Sequence, residues 1–379
     1  MMDTFQSLTI AEWVKIKNPQ IINFSKKRTL YCPEINLFKS DNNLNFSMLT
    51  EGSDFIALFE NCSLFSDGCI LLSDDGYLIG EALTHRDYDL NYLFESKIIS
   101  STQNNYQIED GTNELEIEEE CYFIGGSNNI GHYIFEYLTR LYLFNFTPSI
   151  KSLTPIVYDD VPDRFLKLLS FFGIDLNKIK KIPRSQRVRF KKIWISSCPF
   201  RRDANKNLLC NQEAISFLRT TVRPHGVTGH FGPSNRLFFS RSNAKSKRLI
   251  NESEITSFLK IYNFQIIDPA DYSIEEQLRL ISNAEIIWAP LGAATSFTLF
   301  APRDCINIEM SAPSVFGAYN SILSSRLIGQ VYHRMVGEIV RLSDNPKWNI
   351  PVYADIYVKL EECKKVLDIA LKTLALRND

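Results

Sequence analysis

No C-x-x-C pair occurs among the cysteines at 32, 62, 69, 121, 198, 210, 305 and 363, so the usual spacing of a structural zinc site is missing. They read as reduced thiols. Neither a P-loop nor a G-x-G-x-x-G after a strand is found, which argues against a P-loop NTPase and a dinucleotide-dependent oxidoreductase. An excess of one charge is missing too: 42 Lys and Arg against 44 Asp and Glu leave a formal net charge of −2. This balance gives no support to wholesale nucleic-acid binding, and any basic site must be local. The longest uncharged run, 286–302, is broken by Pro290 and Gly292 and falls short of the roughly 18 to 20 apolar residues of a membrane span. Since the first residues carry no secretory signal pattern, a cytoplasmic chain is expected.

What is present suits a globular protein with two cores: 379 residues, 45% hydrophobic and 23% charged. Residues 1 to about 50 are poor in pattern, with a helical turn near Ile10–Ile16 and an Asn-rich loop at 40–45. A β-meander is expected at about 50–100, because Ser73-Asp-Asp-Gly76 separates Ile70-Leu-Leu72 from Tyr77-Leu-Ile79 as a hairpin turn would. Asp87-Tyr-Asp89 looks like a metal-holding Asp-x-Asp pair but reads as a surface turn.

From about 116 the pattern alternates. A strand at Cys121–Ile124 leads through Gly125-Gly126 into a helix over Ser127–Phe144 that is apolar almost all round, as a buried helix must be. Strands near 155–158, 181 and 193–195 and helices at 162–172 and about 213–221 complete a βαβαβ half. A Gly- and Pro-rich linker at 222–235 follows, and the alternation restarts with strands at 236–239, 264–267, 285–288 and 305–308. Helices from Glu252, Ile274 and Ala293 separate them, the first two opened by capping boxes Asn251/Glu254 and Ser273/Glu276. Apolar spacing from Ile356 to Leu374 predicts a C-terminal helix over 353–376.

On the buried helix His132, Glu136 and Arg140 recur every four residues, so they share one face, where charge needs a partner or a ligand. His132 and Glu136 are the acid/base candidates, and either one can serve as the base. The loop after strand 236–239 carries Arg241, Lys245, Lys247 and Arg248 where open α/β sheets bind ligands, and arginine suits diphosphate. In Ala289-Pro-Leu-Gly-Ala-Ala-Thr-Ser296, small residues let backbone approach a ligand at a helix start.

Taken together, these motifs resemble glycosyltransferase family 61. Asn129-Ile-Gly131-His132-Tyr133 and Glu136-Tyr-Leu-Thr-Arg140-Leu141 look like its Asn-x-x-His-Trp and Glu-x-Leu-Pro-Arg-Leu segments. Ser240-Arg241, Arg248 and Asn251-Glu252 match its Ser-Arg, later Arg and Asn-Glu signature; Gly292-Ala293, Leu299-Phe-Ala-Pro302 and Glu309 match its Gly-Ala, Leu-Phe-x-Pro and strand-end Glu. Tyr133, Thr139, Leu291 and Phe297 depart from the usual Trp, Pro, His and Asn.

The resemblance implies an α/β chain of the GT-B kind: two Rossmann-like domains facing a cleft, an N-terminal β-meander and a C-terminal return helix. The expected domains are 1–225 on the acceptor side, 226–350 on the donor side, and 351–379 packing back across both halves. It also implies inverting transfer from a nucleotide sugar, without a metal, to a glycan or lipid-linked glycan of a bacterial surface polysaccharide such as capsule or O-antigen. His132 and Glu136 would be catalytic, with Asn129, Gly131 and Arg140 on the substrate side. Ser240, Arg241, Arg248, Asn251, Glu252, Leu291, Gly292, Ala293 and Glu309 would bind the donor. A lipid-linked acceptor would bring the protein to the cytoplasmic membrane face. The alternative is a non-catalytic nucleotide-binding scaffold in polysaccharide assembly.

Overall fold

The computed structural model describes residues 2–8, 21–23, 28–31, 37–38, 47–50, 54–65, 70–72, 77–79, 98–102, 105–109, 114–184, 186–202, 208–226, 235–244, 249–313, 325, 327–342 and 351–378. The helical turn at 10–16, the Asn-rich loop, Asp87-Tyr-Asp89, Cys32, Cys69, most of the linker and the cations Lys245, Lys247 and Arg248 lie outside them. Two compact units emerge: Met1–Tyr31 with Ser47–Leu218, and Cys32–Phe46 with Arg219–Asp379. The chain thus passes from one to the other within a helix, Gln212–Val222, rather than in the linker near 225.

The first unit holds a mixed sheet. Its strands β1 (Phe55–Phe65), β2 (Ile70–Leu72) and β3 (Tyr77–Ile79) form the expected antiparallel meander. β4 (Cys121–Phe123), β5 (Thr154–Tyr158), β6 (Lys180–Ile182) and β7 (Arg187–Ser196) run parallel in the order β6-β5-β4-β7, and β1 pairs antiparallel with β7. Meander and parallel strands therefore belong to one sheet. Their parallel order corresponds to 3-2-1-4 along the chain, so the connections reverse direction between β4 and β7.

Between β4 and β5 runs the central helix, in three pieces: Ile130–His132, a π-helical turn Tyr133–Leu138, and Arg140–Phe144. It starts three residues later than the apolar pattern suggested, because Asn129 caps it. Tyr133, Ile134, Phe135, Leu138 and Phe144 are fully buried, consistent with the all-round apolar pattern. Each such side chain removed from water contributes about 1.5–3 kcal/mol.

The second unit is a parallel sheet: β8 (Arg236–Phe239), β9 (Phe264–Ile267), β10 (Ile286–Pro290), β11 (Ile306–Ser311) and β12 (Val331–Val336) stand in the order β9-β8-β10-β11-β12. This 2-1-3-4-5 order reverses between β8 and β10. Every residue of β10 and β11 is buried, which explains their near-continuous apolar runs. Helices α1 (Glu252–Ile261) and α2 (Ile274–Ser282) begin where expected. Only Ser273 and Glu276 form a reciprocal capping box; Asn251 gives α1 no side-chain cap.

Two further expectations are corrected. The segment after β10 is a 3₁₀ helix, Ala293–Phe300, not an α-helix. The C-terminal helix, α3, spans Leu360–Asn378. Ile356 stands instead in a short strand, Asp355–Tyr357, paired with Glu338–Arg341; buried alternation and helical spacing coincide over so few residues. Cys363, Val366, Leu367 and Ala370 of α3 pack into the core of the second unit with Trp288 and Ile308.

Candidate active site

At the reversal point of the first sheet, the amides of Ile124 and Gly125 both bond the carbonyl of Ile156, at 3.0 and 3.1 Å, holding the chain as it leaves β4. Gly125 then takes φ +77°, and a Cβ there would lie 2.7 Å from Cε1 of Tyr137. Only glycine fits this turn. Asn129 follows in extended backbone, its Oδ1 accepting from the amides of Gly131 (2.9 Å) and His132 (3.4 Å). Asn129 and Gly131 thus build the helix start that carries His132.

One turn on, His132 Nδ1 is paired with Glu136 Oε1. The imidazole side chain is 42% exposed and the carboxylate beneath it 7%. When Glu136 is ionised its oxygen can only accept, so the pair places a proton on Nδ1, and a neutral ring then has its lone pair on Nε2.

Arg140, the third member of the stripe, has 0% exposure and is not on a substrate surface. Its Nε donates to the Glu136 carbonyl (3.1 Å) and its Nη1 to the Ser196 carbonyl (2.6 Å), between the rings of Phe123 and Tyr137. Cys198 Sγ also donates to the Glu136 carbonyl, at 3.4 Å. The main chain under the His132–Glu136 pair is therefore tied to the end of β7. Arg184 was not anticipated: it donates from Nη2 to the Gly126 carbonyl (2.6 Å) and from Nε to Asp160 (2.8 Å), with Cζ 3.9 Å from the centre of the Tyr158 ring. Its signal was a cation just after a short strand, the same signal that singled out Arg241.

The second cluster stands at the reversal point of the second sheet. Past β8, the Ser240 amide bonds the Ile267 carbonyl at 2.7 Å. Glu252, buried at the start of α1, accepts the Ser240 hydroxyl on Oε1 and the Arg241 amide on Oε2 (3.1 Å). So directed, the Arg241 guanidinium lies over Gly292, where a Cβ would be 3.0 Å from Cζ and closer still to Nη1. Burial lowers the pKa of Arg241 from its ordinary value, against the opposing pull of Asp268 and Glu252. The group stays cationic at neutral pH. Gly292 and Ala293 are partly exposed, and the carbonyl of Gly292 takes both the amide and the hydroxyl of Thr295, at 3.1 and 2.7 Å.

Other expected donor residues are packed away. Leu291 is buried, its amide on the Met310 carbonyl (2.7 Å). Glu309 is buried within β11, accepting from the Tyr332 hydroxyl at 2.9 Å. Asn251 clasps Val358, donating to its carbonyl (2.9 Å) and accepting from its amide (3.3 Å). Arg248 lies outside the described residues. Among the described residues, no three His, Cys, Asp or Glu side chains gather as ligands for an ion.

Residues 130–308 match the family model described as Glycosyltransferase 61, a stretch that includes His132, Glu136, Ser240, Arg241, Glu252 and Gly292. That stretch, just under half of the chain, is similar to glycosyltransferase family 61. No curated protein matches the chain. A family 61 glycosyltransferase has a sugar donor and a glycan acceptor as its general substrates. Among the described residues of this chain, no helix is long and apolar enough to cross a membrane.

Proposed function

We propose that this protein transfers a sugar from a nucleotide-sugar donor with inversion, in a GT-B arrangement, to a glycan or lipid-linked glycan of a bacterial surface polysaccharide. The observation that supports the reading is the pairing of an accessible His132 imidazole, through Nδ1, with the buried Glu136 carboxylate, which favours the tautomer with a free Nε2. The acceptor hydroxyl gives its proton to Nε2, and its oxygen attacks the anomeric carbon from the face opposite the nucleotide. As the bond to the diphosphate breaks, Glu136 stabilises the imidazolium and Arg241 takes up the charge of the leaving group. Arg241 supplies the positive charge that developing phosphate anions need, so the reaction is proposed to run without a bound metal.

A thermal-shift screen of nucleotide diphosphates and nucleotide sugars, repeated with Arg241→Ala and with chelator, tests this. One nucleotide should raise the midpoint with or without chelator and lose its effect in the variant. Failure of every nucleotide to shift the wild type would end the donor-site reading. Binding without turnover of any donor would instead identify the non-catalytic scaffold.

A further inference from the structure

Far along the chain from the Arg241 loop, the second unit gathers four arginines around the start of β11. Arg219 is only 7% exposed, and its Nη1 donates to the Leu299 carbonyl at 2.5 Å. Arg223 follows four residues later, at the start of a 3₁₀ turn (Arg223–Gly226), where its charge acts on Arg219, and its Nη2 lies 3.5 Å from the Ser282 carbonyl. Arg303 stands four residues beyond Leu299 on the surface, and Arg377, in the last turn of α3, donates to the Asp304 carbonyl. Because β11 and β10 begin here, the cluster occupies the amino-terminal edge of the sheet, opposite the edge that carries Arg241 and Gly292.

What sets these residues apart is a shortage of counter-charge: among the described residues Asp304 is the one carboxylate that favours the Arg219 cation, against the like charges of Arg223 and Arg303. Among the described residues none of the four forms an ion pair with a carboxylate; their bonds go to main-chain carbonyls. A guanidinium as buried as Arg219, with like charges beside it, is costly to hold without an anion. Consistent with this, burial and the charges of Arg223 and Arg303 lower the Arg219 pKa to about 10. By contrast, Lys180, Lys181, Lys191 and Lys192 of the first unit each sit within ion-pair distance of a carboxylate.

We infer that Arg219, Arg223, Arg303 and Arg377 form a binding site for a phosphate-class anion, separate from the donor site. Arg303 and Arg377 are exposed and Arg223 half-buried, so an anion approaching from solvent meets forked donors backed by the buried charge of Arg219. Phosphate groups can reach such a site from a soluble diphosphate or from the headgroups of an anionic membrane.

The experiment uses the full chain carrying Arg241→Ala, which disables the donor site, alone and together with Arg223→Gln and Arg303→Gln. Inorganic pyrophosphate should raise the thermal midpoint of the first protein progressively with concentration, and the two added substitutions should abolish that rise. Arg303 is exposed and Arg223 half-buried, and circular dichroism before heating verifies that the doubly substituted protein is folded. A parallel arm sediments both proteins with phosphatidylcholine vesicles with and without phosphatidylglycerol. Arginine-dependent retention on the anionic vesicles alone would support the site and identify a lipid headgroup; a pyrophosphate shift without retention would support it with a soluble anion. The inference is overturned if neither probe binds, or if both bind equally well after Arg223→Gln and Arg303→Gln.

Discussion

Arg241 lies over Gly292, so that a side chain at the glycine would occupy the space of the guanidinium. The two residues come from the ends of β8 and β10, the neighbouring strands between which the second sheet reverses its order. Gly292 has φ −168°, extended backbone open to any residue, so its lack of a side chain matters for space and not for conformation.

Gly292→Ala should therefore move Arg241 rather than unfold the protein, because the overlapping atoms are the far end of a flexible side chain. Nucleotide affinity is expected to weaken by about tenfold, roughly 1.4 kcal/mol, while the thermal midpoint changes little. In a double-mutant cycle with Arg241→Ala the losses should be less than additive. Calorimetric titration of the four proteins checks both points.

Glu252 holds the Ser240–Arg241 turn through both carboxylate oxygens. Replacing it with alanine leaves the Ser240 hydroxyl and the Arg241 amide without that acceptor, at a cost of about 1–3 kcal/mol. Glu252→Ala should lower both the thermal midpoint and nucleotide affinity, whereas Arg241→Ala lowers affinity alone.

The fold was legible wherever one period dominated. Strands at 236–239 and 264–267 and the Ser273–Glu276 cap stand where the sequence pattern places them. The π-turn at 133–138 was not legible, since a wider turn leaves the apolar pattern of an all-buried helix unchanged. Four-residue spacing correctly paired His132 with Glu136 but wrongly suggested that Arg140 shares their surface. That distinction depends on Ser196, 56 residues away, whose carbonyl accepts the guanidinium. The partners of Glu309 and Asn251, Tyr332 and Val358, were not legible for a similar reason: they are remote in sequence.

Within the stripe of His132, Glu136 and Arg140, Arg140→Ala should be the most destabilising substitution. It removes a fully buried side chain and leaves the Glu136 and Ser196 carbonyls short of a donor, at a cost of about 3 kcal/mol. The midpoint should fall by several degrees, whereas His132→Ala, on a ring 42% exposed, should lower it less. Differential scanning calorimetry separates the two.

His333 is buried in β12, and burial lowers its pKa below the ordinary 6.5. Between the folded and unfolded values the unfolded state binds more protons, so this residue's contribution to stability is present above about pH 6.5 and is lost as pH falls below it. His333→Gln should flatten the dependence of unfolding free energy on pH below about 6.5, as denaturant titrations at several pH values would reveal.

The central claim is that His132, oriented by Glu136, takes the proton of the acceptor. Turnover of the donor identified by the nucleotide screen, measured for wild type, His132→Ala and Glu136→Gln with their folded state verified, tests it most directly. The account predicts a fall in kcat of about two to four orders of magnitude for His132→Ala with little change in donor KM, and a smaller but clear fall for Glu136→Gln. Undiminished turnover by folded His132→Ala would contradict it.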